Sequence, residues 1–243
     1  MNLVIDIGNT LVKFGVFSNN QLMTSGVING RDFSKLKDVL VNHEIIHIVY
    51  AAVVEIPPEL TSIFSNFSSV IRLDKNTSLP FQNKYLTPET LGNDRLANVC
   101  GAIALFPERN VLVIDVGTCL KFDMITSNSH YLGGGISPGM RMRFKGLNEH
   151  TAQLPLVSPQ LDPLLIGRNT EESILSGVMN GMMSELNDIN WQYRNLYPRL
   201  ETLLTGGDSN FFLNHFRSRI FAAPHLTLIG LNHIVSNLHH EQK

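Results

Sequence analysis

Residues 3–14 decide the fold, and they read Leu3-Val4-Ile5-Asp6-Ile7-Gly8-Asn9-Thr10-Leu11-Val12-Lys13-Phe14. A second copy, one residue shorter, reads Leu112-Val113-Ile114-Asp115-Val116-Gly117-Thr118-Cys119-Leu120-Lys121-Phe122. Each copy has a β-branched run ending in Asp, then a Gly turn with Thr, then a second apolar run. This pattern predicts a strand, a tight turn and a returning strand. Because the pattern occurs twice, the sequence indicates a chain built from two related halves.

The two turns carry groups that suit phosphate and a cation. Gly lets the backbone approach a ligand closely, Thr supplies a hydroxyl, and turn N–H groups can point at phosphate oxygens. Asp6 and Asp115 supply carboxylates, and Mg²⁺ takes few protein oxygens because it usually keeps several waters. Lys13 and Lys121 could neutralise phosphate or simply be solvated. Two unrelated hairpin turns are the alternative, but the matched residues favour one shared phosphate-and-cation site.

Bulk composition excludes several classes of protein. The chain has 243 residues, a net charge of −2 and 16% charged residues, so it carries no nucleic-acid footprint and no acidic tail. No apolar run approaches the about 18 residues of a membrane span, and no signal peptide is visible. The two cysteines, Cys100 and Cys119, show neither a disulfide nor a zinc pattern. We therefore expect a soluble cytoplasmic protein with no nucleic-acid or membrane partner.

Helices and strands alternate along the rest of the chain, which predicts an α/β fold with a duplicated core. The main expected elements are strands at 2–7, 11–17, 21–28, 45–54, 111–116, 119–125 and 200–204, and helices at 32–42 and 170–195. Thr170 is the expected N-cap of the last of these helices. Gly133-Gly134-Gly135, within a predicted corner, and Thr205-Gly206-Gly207-Asp208 could each let the backbone approach a nucleotide, or could be ordinary turns.

The segment Gly92-Asn93-Asp94-Arg95 lies at a predicted helix N-terminus, because apolar residues follow it at helical spacing. Asp94 is ionised at neutral pH and could accept the proton of a hydroxyl that attacks a phosphoryl group. It could equally be a capping or first-turn acid. Arg95 could pair with an anionic substrate group or lie on the surface. Spacing alone leaves these alternatives open.

The stretch His43-Glu44-Ile45-Ile46-His47 matches the zinc motif H-E-x-x-H. That motif binds zinc only when both His share one face of a helix. Here a β-branched run begins at Ile45, which predicts a strand, so we expect the two His not to converge and no zinc site to form.

Taken together, these motifs resemble those of the type III pantothenate kinases, within the superfamily of acetate and sugar kinases, Hsp70 and actin. The resemblance covers essentially the whole chain. Five motifs match in order: Asp6-x-Gly8-Asn9-Thr10, Gly92-x-Asp94-Arg95, Asp115-x-Gly117-Thr118, Gly134-Gly135-x-x-Pro138-Gly139 and Asn169-Thr170-x-Glu172. Five motifs in order are far more specific than any one of them.

The resemblance implies a duplicated ribonuclease H-like, actin-like ATPase fold, with residues 1–108 and 109–243 as the two halves and the nucleotide cleft between them. It implies ATP-dependent phosphorylation of pantothenate at its primary hydroxyl, the first step of coenzyme A biosynthesis. The implied cofactors are ATP with Mg²⁺ and a monovalent cation, potassium or ammonium. A homodimer is implied as well.

The resemblance also implies roles for individual residues. Asp94 would be the proton acceptor, Asp115 would bind the monovalent cation, and Asp6 would lie near Mg²⁺ brought by ATP. The implied ATP-binding residues are Asp6, Ile7, Gly8, Asn9, Thr10, Leu11, Val12, Lys13 and Thr118. The implied pantothenate-binding residues are Tyr85, Gly92, Asn93, Asp94, Arg95 and, from the neighbouring subunit, Thr170.

Two alternatives stay open from the sequence. One is a kinase or phosphohydrolase of the same superfamily with another substrate, which the pocket around Tyr85 and residues 92–95 would discriminate. The other is a nucleotide-binding regulator without catalysis. The lack of a basic face argues against direct DNA contact, and an intact Asp94 argues against an inactive enzyme.

Overall fold

The computed structural model describes residues 1–8, 11–30, 32–74 and 76–241, with side chains in the last helix described to residue 237. The chain forms two compact units. Unit 1 comprises Met1–Pro107, Ser129–Tyr131 and His225–Lys243, and unit 2 comprises Glu108–Asn128 and Leu132–Pro224. The expected halves, 1–108 and 109–243, stay a prediction. The compact units change over near the same residue, but the last helix of the chain belongs to unit 1.

The strands, in chain order, are β1 (Asn2–Ile7), β2 (Leu11–Ser18), β3 (Gln21–Asn29), β4 (His47–Ala52), β5 (Val70–Arg72), β6 (Gln82–Asn83), β7 (Val111–Val116), β8 (Cys119–Ile125), β9 (His130–Pro138), β10 (Glu201–Thr205) and β11 (Phe221–Ala222). The α-helices are α1 (Ser34–Asn42), α2 (Pro58–Phe64), α3 (Asn93–Leu105), α4 (Met140–Glu149), α5 (Thr170–Leu175), α6 (Gly181–Leu196) and α7 (Leu226–Glu241). A π-helical turn, Ser176–Asn180, joins α5 to α6, and short 3₁₀ turns lie at Pro88–Thr90, Ser209–Phe211 and Leu213–His215.

Unit 1 is built on a sheet of order β3-β2-β1-β4-β5. β1 runs antiparallel to β2 and parallel to β4, and its middle residues Leu3, Val4 and Ile5, which point to alternating faces, are all fully buried. That composition is typical of a central strand covered on both sides. The apolar side chains of β1, β2 and β4 form the buried core together with α1 and α2. The predicted strand and returning strand are therefore confirmed in the first copy, whereas Asn9 and Thr10 of the predicted turn lie outside the described residues.

Unit 2 repeats this plan. β7 runs antiparallel to β8 and parallel to β10, in a sheet of order β11-β10-β7-β8-β9. The repeated register places Asp115 opposite Lys121, as β1 and β2 place Asp6 opposite Lys13. The first two residues of β9 belong to unit 1, where they pair with β6. The predicted duplicated α/β core is thus confirmed.

Two glycines bring α3 and α7 into close contact inside unit 1. A β-carbon on Gly230 would lie 1.8 Å from the carbonyl oxygen of Ala97, and one on Gly101 would lie 2.4 Å from that of Leu226. Neither distance is physically possible, so both positions require Gly. The contact fixes α3, the helix whose first turn carries Asp94.

Two expectations from the sequence are wrong. Residues 133–137 form the continuation of β9 rather than a corner. A β-carbon on Gly134 would lie 1.9 Å from the carbonyl oxygen of Phe122, so this Gly serves close strand packing instead of a turn. The N-cap of α5 is Asn169, not Thr170, because the Asn169 side chain accepts a hydrogen bond from Glu172 N at 2.9 Å.

The H-E-x-x-H stretch is not helical, as expected. α1 ends at Asn42, and His47 begins β4, where its Nδ1 lies 2.7 Å from the Ser69 hydroxyl. Within the described ranges, no helix combines the length and the apolar character needed to cross a membrane.

Candidate functional site

The first glycine turn follows β1 in unit 1. Asp6 is half-buried near the end of β1, and Gly8 N donates a hydrogen bond to Leu11 O at 3.0 Å. Asn9 and Thr10, both predicted to bind ATP, lie outside the described residues. Ile7 and Val12 are buried in the core. These two residues could therefore meet a nucleotide only through their backbone.

Asp94 lies in the first turn of α3, half-buried, with Gly92 as the N-cap residue. Its Oδ1 accepts a hydrogen bond from Arg95 N at 2.9 Å. A β-carbon on Gly92 would lie 2.5 Å from this same oxygen. Any larger residue at position 92 would therefore displace the carboxylate, so Gly92 helps to set the position of Asp94.

Arg95 is held against an aromatic wall. Its side chain is nearly buried, with 4% of its surface exposed, and its guanidinium carbon lies 5.6 Å from the centre of the Tyr85 ring. Tyr85 stacks on Tyr131 at 6.2 Å, and Phe81 meets Tyr131 edge-on at 5.9 Å. A partly desolvated Arg gains from such a ring face. These stacked rings therefore hold the Arg95 guanidinium in place next to Asp94, and its positive charge favours an anionic ligand group.

Asn93, also predicted to bind substrate, has a different visible role. Its side-chain amide donates a hydrogen bond to Leu73 O at 3.0 Å. This bond ties the start of α3 to the segment that follows β5.

The second glycine turn, in unit 2, is enclosed by backbone. Gly117 N donates to Cys119 O at 3.1 Å, and Thr118 is exposed at the tip. A β-carbon on Gly139 would lie 2.3 Å from Thr118 O, and one on Gly206 would lie 2.3 Å from Val116 O. Gly206 also has φ +98, which favours Gly. The Thr205-Gly206-Gly207-Asp208 run is therefore part of this turn's surroundings.

Two charged partners accompany the second turn. Lys121 Nζ lies 2.8 Å from Asp115 Oδ2. Asp208, which the sequence did not single out as a site residue, donates its N–H to Val116 O at 3.0 Å, and its Oδ1 lies 3.4 Å from Arg141. Burial raises the pKa of Asp208, and Arg141 offsets part of that rise. The signal for Asp208 was its place directly after a double glycine.

Thr170 lies at a cleft of about 1060 Å³ within unit 2. The cleft is lined mainly by α4, α5 and the turn between α5 and α6, with Met142, Arg143 and Asn169 among its residues. Arg143 pairs with Glu185 and donates its Nε–H to Pro138 O at 2.8 Å. Asn169 bonds to Glu172, while Thr170 is exposed.

The structure thus groups the predicted residues as follows. In unit 1, Gly92 adjoins Asp94, and Arg95 contacts Tyr85. In unit 2, Asp115 adjoins Lys121, and Thr118 lies beside Gly139. Tyr131 was not foreseen, because nothing in the sequence links it to Tyr85. The described part of the chain holds no group of three or more His, Cys, Asp or Glu side chains arranged to bind a metal ion.

Comparison with known families decides what this arrangement belongs to. A family model described as type III pantothenate kinase matches residues 2–191. The chain belongs to this family. A type III pantothenate kinase of Christiangramia forsetii is 43% identical over 97% of this chain and 98% of its own length. Another, of Flavobacterium psychrophilum, is 38% identical over the full length of both chains.

Solved structures are similar to this chain in fold. A candidate Baf family transcriptional activator from Campylobacter jejuni is similar at a TM-score of 0.62 and 23% identity, over 98% of this chain and 99% of its own. A ROK family glucokinase from Streptomyces griseus, solved with glucose and AMPPNP, is similar at a TM-score of 0.53 and 11% identity, over 97% and 98%. The predicted duplicated actin-like ATPase fold is confirmed.

Proposed function

We propose that this protein transfers the γ-phosphoryl group of ATP to the primary hydroxyl of pantothenate, giving 4'-phosphopantothenate in coenzyme A biosynthesis. The observation that carries this function is the match of the type III pantothenate kinase model to residues 2–191. Relatives that bear this name align over nearly the whole chain.

Asp94 is proposed as the group that accepts the hydroxyl proton. Its carboxylate is oriented by the bond from Arg95 N and by the absence of a side chain at position 92. Proton transfer to a positioned side chain typically contributes a factor of about 10²–10⁴ to the rate. Orientation matters here because phosphoryl transfer depends mostly on positioning and charge neutralisation.

Arg95 and Tyr85 are proposed to bind the acceptor. Pantothenate carries a carboxylate, and Arg95 offers a nearly buried guanidinium fixed against Tyr85. Hydrogen bonds between ionised partners are roughly twice as strong as neutral ones. Asn93 contributes by tying down the start of α3.

The two glycine turns are proposed to bind ATP. Lys13 is half-buried beside Asp6 in the β1–β2 ribbon and would neutralise phosphate charge, and the exposed Thr118 would offer its hydroxyl. Asp6 is a single half-buried carboxylate, which fits Mg²⁺ held through water or ATP. When bound, Mg²⁺ would neutralise charge on the phosphates.

The monovalent cation expected at Asp115 fits less well. Lys121 already places its ammonium 2.8 Å from Asp115 Oδ2. The need for such a cation and the cytoplasmic location of the protein therefore rest on the sequence alone.

The decisive experiment measures ADP release by the purified protein with Mg²⁺ and ATP, with and without pantothenate. Glucose serves as a control acceptor, because a sugar kinase shares the fold. We expect turnover that depends on pantothenate, with 4'-phosphopantothenate identified by mass spectrometry. Turnover with glucose but not with pantothenate would indicate that the protein phosphorylates a different acceptor. ATP binding without turnover on either acceptor would favour the noncatalytic regulator.

A homodimer that shares Thr170 is part of the proposal. The segment before α5 exposes apolar side chains that a lone chain would leave in water, among them Leu165 at 79% and Ile166 at 77% exposed. The others in this segment are Leu156, Leu161 and Leu164. Clusters of exposed apolar side chains mark interaction surfaces. Their position next to Thr170 supports a neighbouring subunit at this cleft.

We expect the double variant Leu165→Asp/Ile166→Asp to dissociate the dimer, raising its dissociation constant by at least about tenfold, since two carboxylates would have to be buried. Sedimentation equilibrium measures this shift. Val41→Asp, at an exposed apolar position of α1 in unit 1, is the matched control and should leave the mass unchanged. A double variant that stays dimeric would place the interface elsewhere.

A further inference from the structure

The ion pair between Lys121 and Asp115 joins the two strands that flank the second glycine turn. The two residues face each other across the β7–β8 ribbon, and Lys121 Nζ lies 2.8 Å from Asp115 Oδ2. Each side chain is only 13% exposed. The register of two paired strands holds this contact, so it differs from a surface ion pair between two mobile side chains.

The other oxygen of Asp115 is enclosed by backbone. β-Carbons built on Gly206 and Gly117 would lie 2.6 Å and 3.3 Å from Asp115 Oδ1. The carboxylate is thus bounded by glycine backbone on one side and by an ammonium group on the other.

The Lys121 ammonium therefore already supplies a positive charge beside the Asp115 carboxylate. An ammonium group carries the same charge as potassium and, like it, bonds to carboxylate oxygens. A free cation at Asp115 would have to displace Lys121 or lie next to it, and like charges so close repel each other. A tethered ammonium also loses less entropy than an ion captured from solution.

We infer that the Lys121 ammonium replaces the monovalent cation at Asp115, so that this enzyme turns over without potassium or ammonium. The inference rests on the proposed function, because it concerns the ATP-binding turn of that same kinase. Lys121 is here a positioning residue: it holds Asp115 and, through β8, the turn that carries Thr118.

The test compares turnover in potassium, ammonium, sodium and tetramethylammonium salts at constant ionic strength. For the natural protein we expect rates within about twofold of one another, since equal ionic strength gives equal screening. In Lys121→Thr, the rate in tetramethylammonium should fall at least about tenfold, because a charge-assisted bond is lost and Asp115 stays partly buried. Potassium should restore most of that loss. A natural protein that needs potassium would overturn the inference and leave the kinase standing.

Thermal unfolding gives a second readout that does not depend on activity. Potassium should raise the Tm of Lys121→Thr above its value in tetramethylammonium, and it should not do so for the natural protein, because only a ligand of the folded state stabilises it. Lys121→Met keeps the aliphatic part of the side chain and replaces Lys121→Thr if that variant does not fold. If no salt supports turnover, the proposed function fails, and this Tm difference still decides the cation question.

Lys145→Thr is the matched control. It removes a Lys of the same unit that pairs with Glu149 at 3.4 Å on the exposed face of α4. Neither its rate nor its Tm should depend on the choice of cation. A potassium response of equal size in this control would overturn the inference, because it would assign the effect to lost charge in general.

Discussion

Asp94→Asn is expected to lower kcat by at least about a hundredfold while the dissociation constant for ATP changes little. The amide has nearly the same shape as the carboxylate, and its oxygen can still accept the bond from Arg95 N that Asp94 accepts now. It cannot take up the proton of the attacking hydroxyl. ADP release measures the first quantity, and isothermal titration calorimetry with ATP and Mg²⁺ measures the second.

Asp38→Asn is the matched control for that variant. It makes the same chemical change at an exposed position of α1, in the same unit, and should leave kcat unaltered. If Asp94→Asn loses ATP binding together with turnover, Asp94 is holding the structure rather than accepting a proton. Near-normal kcat would remove it from the reaction altogether.

Gly230→Ala is expected to lower the free energy of unfolding by about 3 kcal/mol or more, at the upper end for an overpacked core. The new β-carbon would fall 1.8 Å from Ala97 O, so α7 must move away from α3. Backbone cannot yield as the end of a flexible side chain can. Urea unfolding followed by circular dichroism measures the loss.

Gly181→Ala separates this collision from the general effect of adding a methyl group to a helix. Gly181 begins α6, and a β-carbon there would meet nothing within 4 Å. It should leave stability unchanged or raise it by about 0.4–1 kcal/mol, since Ala restricts the unfolded chain. Equal stability of Gly230→Ala and Gly181→Ala would mean that α3 and α7 do not pack as closely as described.

The duplicated core could be predicted because its signal is local. Each β-branched run with Asp and Gly is one strand and one turn, and β1, β2, β7 and β8 lie where the pattern put them. The start of α3 was also local, since apolar spacing marks it. The cap of α5 was misplaced by one residue because Asn169 and Thr170 are both good caps, and only the bond from Glu172 N distinguishes them.

The features that the sequence did not predict, or predicted wrongly, depend on contacts that only the folded chain makes. The glycines of β9 read as a corner until Phe122 O is seen beside Gly134. The Asp115–Lys121 pair depends on register, for Val116 pairs with Leu120. A shift of one residue would have turned Lys121 to the other face of the ribbon. The stacking of Tyr85 on Tyr131 likewise joins residues that only the fold brings together.

The place of α7 has a consequence for how the molecule is made. α7 packs against α3, and Asn232 of α7 accepts a hydrogen bond from the Asn2 side chain at 2.9 Å. The contacts of β1 are therefore incomplete until α7 has been synthesised. During synthesis, the side of the unit 1 sheet against which α7 packs stays uncovered until residues 226–241 are made, whereas unit 2, which ends at Pro224, is by then fully synthesised. Contacts this far apart in sequence slow folding, and a half-made core exposes strand edges. We therefore expect a stage of synthesis at which β1 to β5 are complete while the apolar surface that α7 covers is still exposed to water.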